Sequence, residues 1–387
     1  MSDDIVVSRR EFLPAAMFGV LGLSGRAGLG QRADERGAYV GTYTTDGPSE
    51  GIYILRMQSD TGALRLDGVA ARSADPSFLT IHPNGRVLYA VNEIAEFAGQ
   101  ASGAVSAFAI DRASAGLTLL NQVASGGEAP CYVSVDRTGR FVLVANYNGG
   151  SVARIPLSGD GRLEGPGSVV RHEGHGPNAE RQTKPHVHCA VTDPGNRYGL
   201  VVDLGIDAVV VYRLDDRVGT LTRVSPGAAM RPGAGPRHLA FHPNGRYVYV
   251  VNELDSTLTA FRYDAERGTL EEIHTIANSP GGTSKNYPAD VHVAPSGRVL
   301  YSSNRGDDSI AVFAIDVANG RLAPVQQVST GGRWPRNFTL DPTGRFLLVA
   351  NQRSNSIVGF RVDPKTGHLT PNGQTVECAS PVCLRFW

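Results

Sequence analysis

Apolar residues along this chain gather in short runs that return in pairs: an apolar strand, a turn built on Gly-Arg, a second apolar strand and a terminal Asn. Runs of this length, bounded by turn residues, predict buried strands, and few segments carry a helical period. The clearest copies, Pro76 to Asn92 and Pro236 to Asn252, agree position by position. Others run Pro130 to Asn146, Pro288 to Asn304 and Pro335 to Asn351, and in all five the turn glycine (Gly85, Gly139, Gly245, Gly297, Gly344) stands seven residues before the closing Asn. A sixth, degenerate copy from Val191 to Asp203 carries Asn196 where the glycine stands and Asp203 where the Asn stands. The period is roughly fifty residues, which marks a repeat architecture.

After each Asn the pattern changes to alternation. Ser256 to Tyr263 alternates apolar and polar, Asp264 to Gly268 turns, and Leu270 to Ile276 returns; the same outer hairpin starts again at Ser309 and Ser356. Each unit therefore predicts a four-stranded antiparallel meander, and such units repeated radially are blades around a channel. The first unit lacks its leading strand, because Ala38 to Tyr43 resembles a second strand, with Gly51 to Leu55 and Leu64 to Val69 as the outer pair. Ser380 to Phe386 carries the proline and apolar positions of the missing strand. Six whole units and one split unit predict an all-β, seven-bladed β-propeller over residues 38–387, its ring closed by the C-terminal strand joining the N-terminal blade. Closure removes the open sheet edges that invite aggregation.

Composition narrows the function. With 37 basic and 37 acidic residues the chain has no electrostatic footprint for nucleic acid or an anionic membrane surface, so a partner must be recognised by local geometry. Residues 1–37 fall outside the repeat, and there Arg9 and Arg10 precede the apolar stretch Pro14 to Leu23. Twin arginines before a short apolar run read as a Tat-type export leader, which places the mature chain in the periplasm or outside the cell; the alternative is a disordered tail on a cytoplasmic protein. The run is too short to span a bilayer, so no membrane association is expected after leader removal, and a monomer is expected. Cys131, Cys189, Cys378 and Cys383 show no zinc spacing and read as small buried residues, with a Cys378–Cys383 disulfide compatible with an oxidising compartment.

The repeat also locates chemistry. The Gly-Arg turn joins the first two strands of a blade, so the residue after the leading proline and the residue after the closing Asn lie at the far end, at one mouth of the channel. The first register reads Ser77, Cys131, His188, Arg237, Ala289, Arg336 and Val382; the second reads Glu93, Tyr147, Leu204, Glu253, Arg305 and Gln352. Core positions stay apolar while these vary and turn polar, as a ring of ligand contacts should. Glu93 reads as structural or peripheral, and the recurring turn arginine (Arg86, Arg140, Arg246, Arg298, Arg345) as a blade residue. Residues 171–184 lack zinc spacing and read as a long loop over the mouth.

Several of these stretches together resemble one family. Pro185 to His188, Asp203 to Asp207, Gly235 to His238, Val251 to Glu253 and Ser303 to Arg305 look like the seven-bladed propeller lactonases, which include the propeller-type 6-phosphogluconolactonases and the fungal carboxy-muconate lactonizing enzymes. The resemblance covers the chain after residue 37. It implies that His188 (with His186 as its alternate), Arg237, Glu253 and Arg305 are active-site groups, the four that the repeat registers also pick. It implies a small acidic lactone as the partner and neither cofactor nor metal. Opening a lactone needs a base for water, a cation for the oxyanion and an anchor for an acidic substituent. His188 or Glu253 suits the base, Glu253 if desolvation raises its pKa. Arg237 and Arg305 suit the anion and oxyanion, with His186, His238, Arg336 and Asn337 as further substrate contacts.

Two other functions use the same residues. A muconate-type cycloisomerase runs the chemistry in the lactonizing direction, and a non-catalytic propeller keeps the fold for binding or scaffolding. In that last case the histidines are backbone-bonded channel residues and Arg237 with Glu253 is a strand-bridging ion pair.

Overall fold

The structure is a computed structural model that describes residues 34–45, 47–165, 167–215, 219–279 and 285–387. The expected leader lies, up to residue 33, outside the described residues. Among the described residues, 28 strands form seven four-stranded antiparallel sheets. In six of them the strands follow chain order. The first blade is split: Pro381–Phe386 lies beside Glu35–Thr42, followed by Gly51–Gln58 and Leu64–Arg72. Ala38, Tyr39 and Val40 pair with Phe386, Arg385 and Leu384, which closes the ring as the repeat predicts. The N-terminal strand starts earlier than the repeat alone suggests, at Glu35, because Glu35 to Gly37 pair with Gln58 to Arg56.

The second strand of each blade is the most apolar segment because it is covered on both faces by neighbouring sheets. Phe141–Asn146, Tyr247–Asn252 and Phe346–Asn351 are buried at every residue. Recurrent polar ties join the blades. Tyr39, Tyr89, Tyr249 and Tyr301 each donate a hydroxyl hydrogen bond of 2.9–3.1 Å to a turn carbonyl of the next blade, those of Ala115, Gly161, Gly320 and Gly367. At the same end of the blades, the His of the His-Pro-Asn-Gly-Arg turn reaches the following blade: His82 Nε2 lies 2.9 Å from Gly139 O and His242 Nε2 2.7 Å from Gly297 O. The turn needs a left-handed residue, which Gly85 supplies at φ 67° and Asn196 at φ 54° in the degenerate copy. Asp203, the other departure in that copy, accepts a hydrogen bond from His172 Nδ1 at 2.7 Å, so the carboxylate there is partnered.

One irregularity recurs and positions the site. Pro236 pairs with Asn252 and His238 with Val251, which leaves Arg237 as an extra residue in the inner strand. Cys131, His188, Arg336 and Val382 are extra residues in the same way. A β-bulge bends its strand and re-aims the inserted side chain. Five of the seven residues of the first register are thus bulged, and two of their successors, His238 and Asn337, line a void deeper in the channel.

Candidate active site

The two registers meet at one channel mouth. His188, Glu253, Arg305 and Arg336, with Cys131 and Tyr147, line a pocket of about 220 Å³. Three further residues complete its wall: Tyr43 and Glu93 from the first two blades, and Arg181 from the loop before Val187. That loop covers the mouth as its length suggests. Gln182 Nε2 fastens it by donating to Leu204 O at 2.8 Å and Asp207 Oδ1 at 2.7 Å, and Lys184 Nζ donates to Asn148 O at 2.8 Å.

Glu253 is the hub. It is 4% exposed, and its Oε2 accepts from Arg305 Nη2 at 2.6 Å while its Oε1 accepts from Arg181 Nη2 at 2.7 Å. Arg237 Nε also lies 3.2 Å from Oε2, without the alignment of a hydrogen bond. Burial by itself raises this carboxyl, but Arg305, Arg237 and Arg181 overcome it and hold Glu253 far below the usual carboxylate range. The expectation that desolvation makes Glu253 a base is therefore corrected: three guanidinium groups make it a permanent anion with little affinity for a proton. Burial and the neighbouring Arg305 and Arg336 push Arg237 down to about 9, so it stays charged at neutral pH.

His188 has the opposite setting. Burial, with Arg237, His238 and Arg336 nearby, holds its pKa well below 6.5, so the imidazole is neutral at pH 7. Its Nδ1 lies 3.5 Å from Cys131 Sγ, and its ring meets Tyr147 edge to face at 5.3 Å. The Cys131 thiol is pushed well above 9 by burial and Glu93, which keeps it protonated and unsuited to nucleophilic attack.

Arg336 has no carboxylate within salt-bridge distance among the described residues. Its Nη2 donates to Tyr43 Oη at 2.7 Å, and that hydroxyl donates to Glu93 Oε2 at 2.8 Å. Glu93 is thus a wall residue of the mouth, which corrects its reading as peripheral. The remaining expected contacts sit elsewhere. His186 stacks on Tyr147 with ring centroids 4.4 Å apart and does not line the pocket. His238 and Asn337 lie one layer below, around a void of about 10 Å³ shared with Ser77, Cys131, Arg237 and Arg336. There they hold a residue that neither register singles out: Asp290 Oδ1 lies 2.9 Å from His238 Nδ1, and its Oδ2 accepts from Asn337 Nδ2 at 2.5 Å and lies 3.1 Å from His292 Nε2. Burial and Arg237 push His238 down to about 3 against the pull of Asp290.

All four cysteines are free and buried, so Cys378 and Cys383 are not joined. Among the described residues no group of three or more His, Cys, Asp and Glu side chains converges as a metal cage, and no helix is long and apolar enough to cross a membrane.

Comparison with known proteins identifies the family. The profile of the family "Lactonase, 7-bladed beta-propeller" matches residues 37–386. A 6-phosphogluconolactonase of Bacillus subtilis is 42% identical over 297 residues, covering 76% of this chain and 82% of its own. A 6-phosphogluconolactonase of Formosa agariphila is 35% identical over 299 residues, covering 76% and 83%. The solved structure of a periplasmic gluconolactonase from Pseudomonas aeruginosa superimposes with a TM-score of 0.85 at 36% identity, covering 91% of this chain and 99% of that one. The chain, by sequence, blade count and closure, belongs to the seven-bladed β-propeller lactonase family.

Proposed function

We propose that this protein hydrolyses an acidic sugar lactone, in the manner of a 6-phosphogluconolactonase, at the mouth formed by His188, Glu253, Arg305 and Arg336, with Arg237 beneath it. The observation that carries the reading is the charge arrangement: Arg181, Arg237, Arg305 and Arg336 outnumber the carboxylates set against them, Glu93 and Glu253 at the mouth and Asp290 beneath, beside a neutral imidazole. A surplus of buried cation is costly unless an anion joins it, and a lactone supplies one twice, as its acidic substituent and as the oxyanion of its transition state.

In this scheme neutral His188 takes a proton from water as the water oxygen adds to the lactone carbonyl carbon. Arg336 and Arg305 hold the resulting oxyanion by charge-assisted hydrogen bonds. The ring C–O bond then breaks, the proton passes from His188 to the departing ring oxygen, and the product is an open-chain hydroxy acid. Glu253 takes no proton; it fixes the three arginines, and Arg237 contributes charge from beneath. Every step uses side chains of this chain alone.

The reading includes export by the Tat route of a monomer that works in the periplasm or outside the cell. It is supported by Arg9 and Arg10 ahead of Pro14 to Leu23 and by the similarity to a relative named as periplasmic. The decisive experiment incubates the purified protein with lactones bearing or lacking phosphate and carboxylate groups and follows proton release. Turnover of at least one acidic sugar lactone, lost in His188→Ala with folding retained, is expected; no turnover above background on any lactone overturns the reading. The mass of the protein recovered from the periplasm tests the leader.

A further inference from the structure

The residue preceding the leading proline supplies a third register, at the rim just outside the mouth. It adopts a left-handed backbone in blade after blade: φ is 38° at Asp75, 49° at Ala129, 60° at Gly235, 64° at Trp334 and 44° at Ser380. Asp, Gly, Ala and Ser meet that demand at small steric cost. Trp334 is the exception, since a bulky side chain at positive φ is strained and such strain gathers at ligand sites.

Trp334 is placed to use it. Its ring is half-buried, and the Arg305 guanidinium carbon lies 5.5 Å from its centroid. Tyr287, at the same register in the preceding blade, stands 6.0 Å away at 47°. Over the indole at 3.5 Å lies the guanidinium of Arg353, which is exposed and has no carboxylate within salt-bridge distance among the described residues. Its counterparts, two residues past the end of the second strand, are Thr44, Ile94, Asn148, Gly205, Leu254 and Gly306, none of them charged. The two distances to one ring put the Arg353 and Arg305 guanidiniums no more than 9.0 Å apart. A six-carbon sugar acid bridges that gap. The local backbone fixes the pair, since Gln352 N donates to Trp334 O at 3.0 Å and Trp334 N to Asp308 Oδ1 at 2.7 Å.

We infer that Trp334 and Arg353 form a rim subsite for the end of the substrate remote from the lactone carbonyl, and that it selects an anionic group on that terminal carbon. The inference rests on the lactonase reading and names its substrate class: an aldonolactone carrying a terminal phosphate or a terminal carboxylate. The indole offers an apolar face to the C–H groups of the sugar chain, while cation–π contact holds Arg353 in place for the terminal anion.

The chain has two tryptophans, and the other, Trp387, packs against Tyr39 in blade one, its ring tilted at 38°. In a Trp387→Phe background the emission of Trp334 reports on the rim alone. Three stable open-chain acids serve as probes: 6-phosphogluconate, glucarate and gluconate. Saturable emission changes are expected, with half-saturation at least tenfold lower for one or both of the terminally charged acids than for gluconate. Whichever acid shows the preference identifies phosphate or carboxylate as the group recognised. Arg353→Leu should abolish the preference. Equal half-saturation for all three acids, or a preference that survives Arg353→Leu, overturns the inference. Trp334→Gly, followed by isothermal titration calorimetry because it removes the reporter, should lose the preference without a lower melting temperature, since it relieves the positive φ; a preference that survives this change, whatever the melting temperature, marks Trp334 as structural and overturns the inference too. Failure of the underlying reading looks different, since no lactone is then turned over whatever the rim binds.

Discussion

Glu253 and Arg305, from adjacent blades, share a 2.6 Å hydrogen bond at the channel mouth with both side chains at most 6% exposed. Removing one member of a buried pair leaves the other charge uncompensated, which costs about 3–5 kcal/mol, whereas replacing both with apolar groups is often neutral. Glu253→Gln should therefore destabilise the propeller by roughly that amount, since three guanidiniums lose their common anion. Glu253→Gln combined with Arg305→Leu should recover more than half of the loss in a chemical-denaturation cycle while remaining inactive. Equal stability of wild type and Glu253→Gln would remove the hub role.

His188→Ala removes the proposed proton acceptor without disturbing an ion pair. Its kcat on a turned-over lactone should fall roughly 10²- to 10⁴-fold, the usual contribution of general acid–base catalysis. Circular dichroism and melting should stay close to wild type.

A base held neutral by burial also shapes the pH profile. The acid limb of kcat/KM reports the free enzyme's essential base, so with His188 held low it should lie well below 6.5. A limb centred near 6.5 would contradict the assignment.

Stability carries its own pH signature. His238 is pushed from 6.5 down to about 3, so between those values the unfolded chain binds a proton that the folded chain does not. Stability must then rise with pH through that window and fall on acidification, by about 1 kcal/mol per pH unit for such a group. Glu253 and Asp290 are lowered in the fold and act in the same direction: their contribution is present above the ordinary carboxylate pKa and is lost as pH falls below it. Thermal melts between pH 4 and 8 should show a plateau above 7 and a decline beneath 6.5, shallower in His238→Gln. A flat profile would count against the buried Asp290–His238 pair.

The inter-blade tyrosines should contribute separately. Tyr249→Phe deletes one buried hydrogen bond to Gly320 O and should cost about 1 kcal/mol, nearly additive with Tyr89→Phe because the two bonds lie in different blades.

Most of the architecture was legible because one sequence phrase encodes one blade, and Pro381–Phe386 showed where the missing strand went. The site was legible as far as the registers ran, so His188, Arg237, Glu253, Arg305 and Arg336 were found together. Tyr43 escaped only because the split first blade was not carried through the second register, where it follows Thr42. Arg181 enters on a loop outside the repeat, and nothing in its spacing aims it at Glu253. Asp290 follows Ala289 in a blade whose inner strand has two residues unpaired in place of one, and the extra residue conceals that it belongs with His238 and Asn337 in the layer below. His238 and Asn337 were placed in the right wall at the wrong depth, since a bulge moves its successor downward. Glu253 was expected to gain basicity because burial is readable from an apolar run, while the number of arginines reaching one carboxylate is not.

The closing strand has a consequence in time. Val382 lines the void under the mouth, and Leu384 N donates to Asn337 Oδ1 at 2.8 Å, so the closing strand Pro381–Phe386 completes the wall that supports Arg336. Its partner is the strand Glu35–Thr42 at the other end of the repeat array, so this wall takes shape only when the ring closes. A pairing so distant in sequence pays its loop-closure entropy before its contacts reward it, which sets the pocket among the late events of folding.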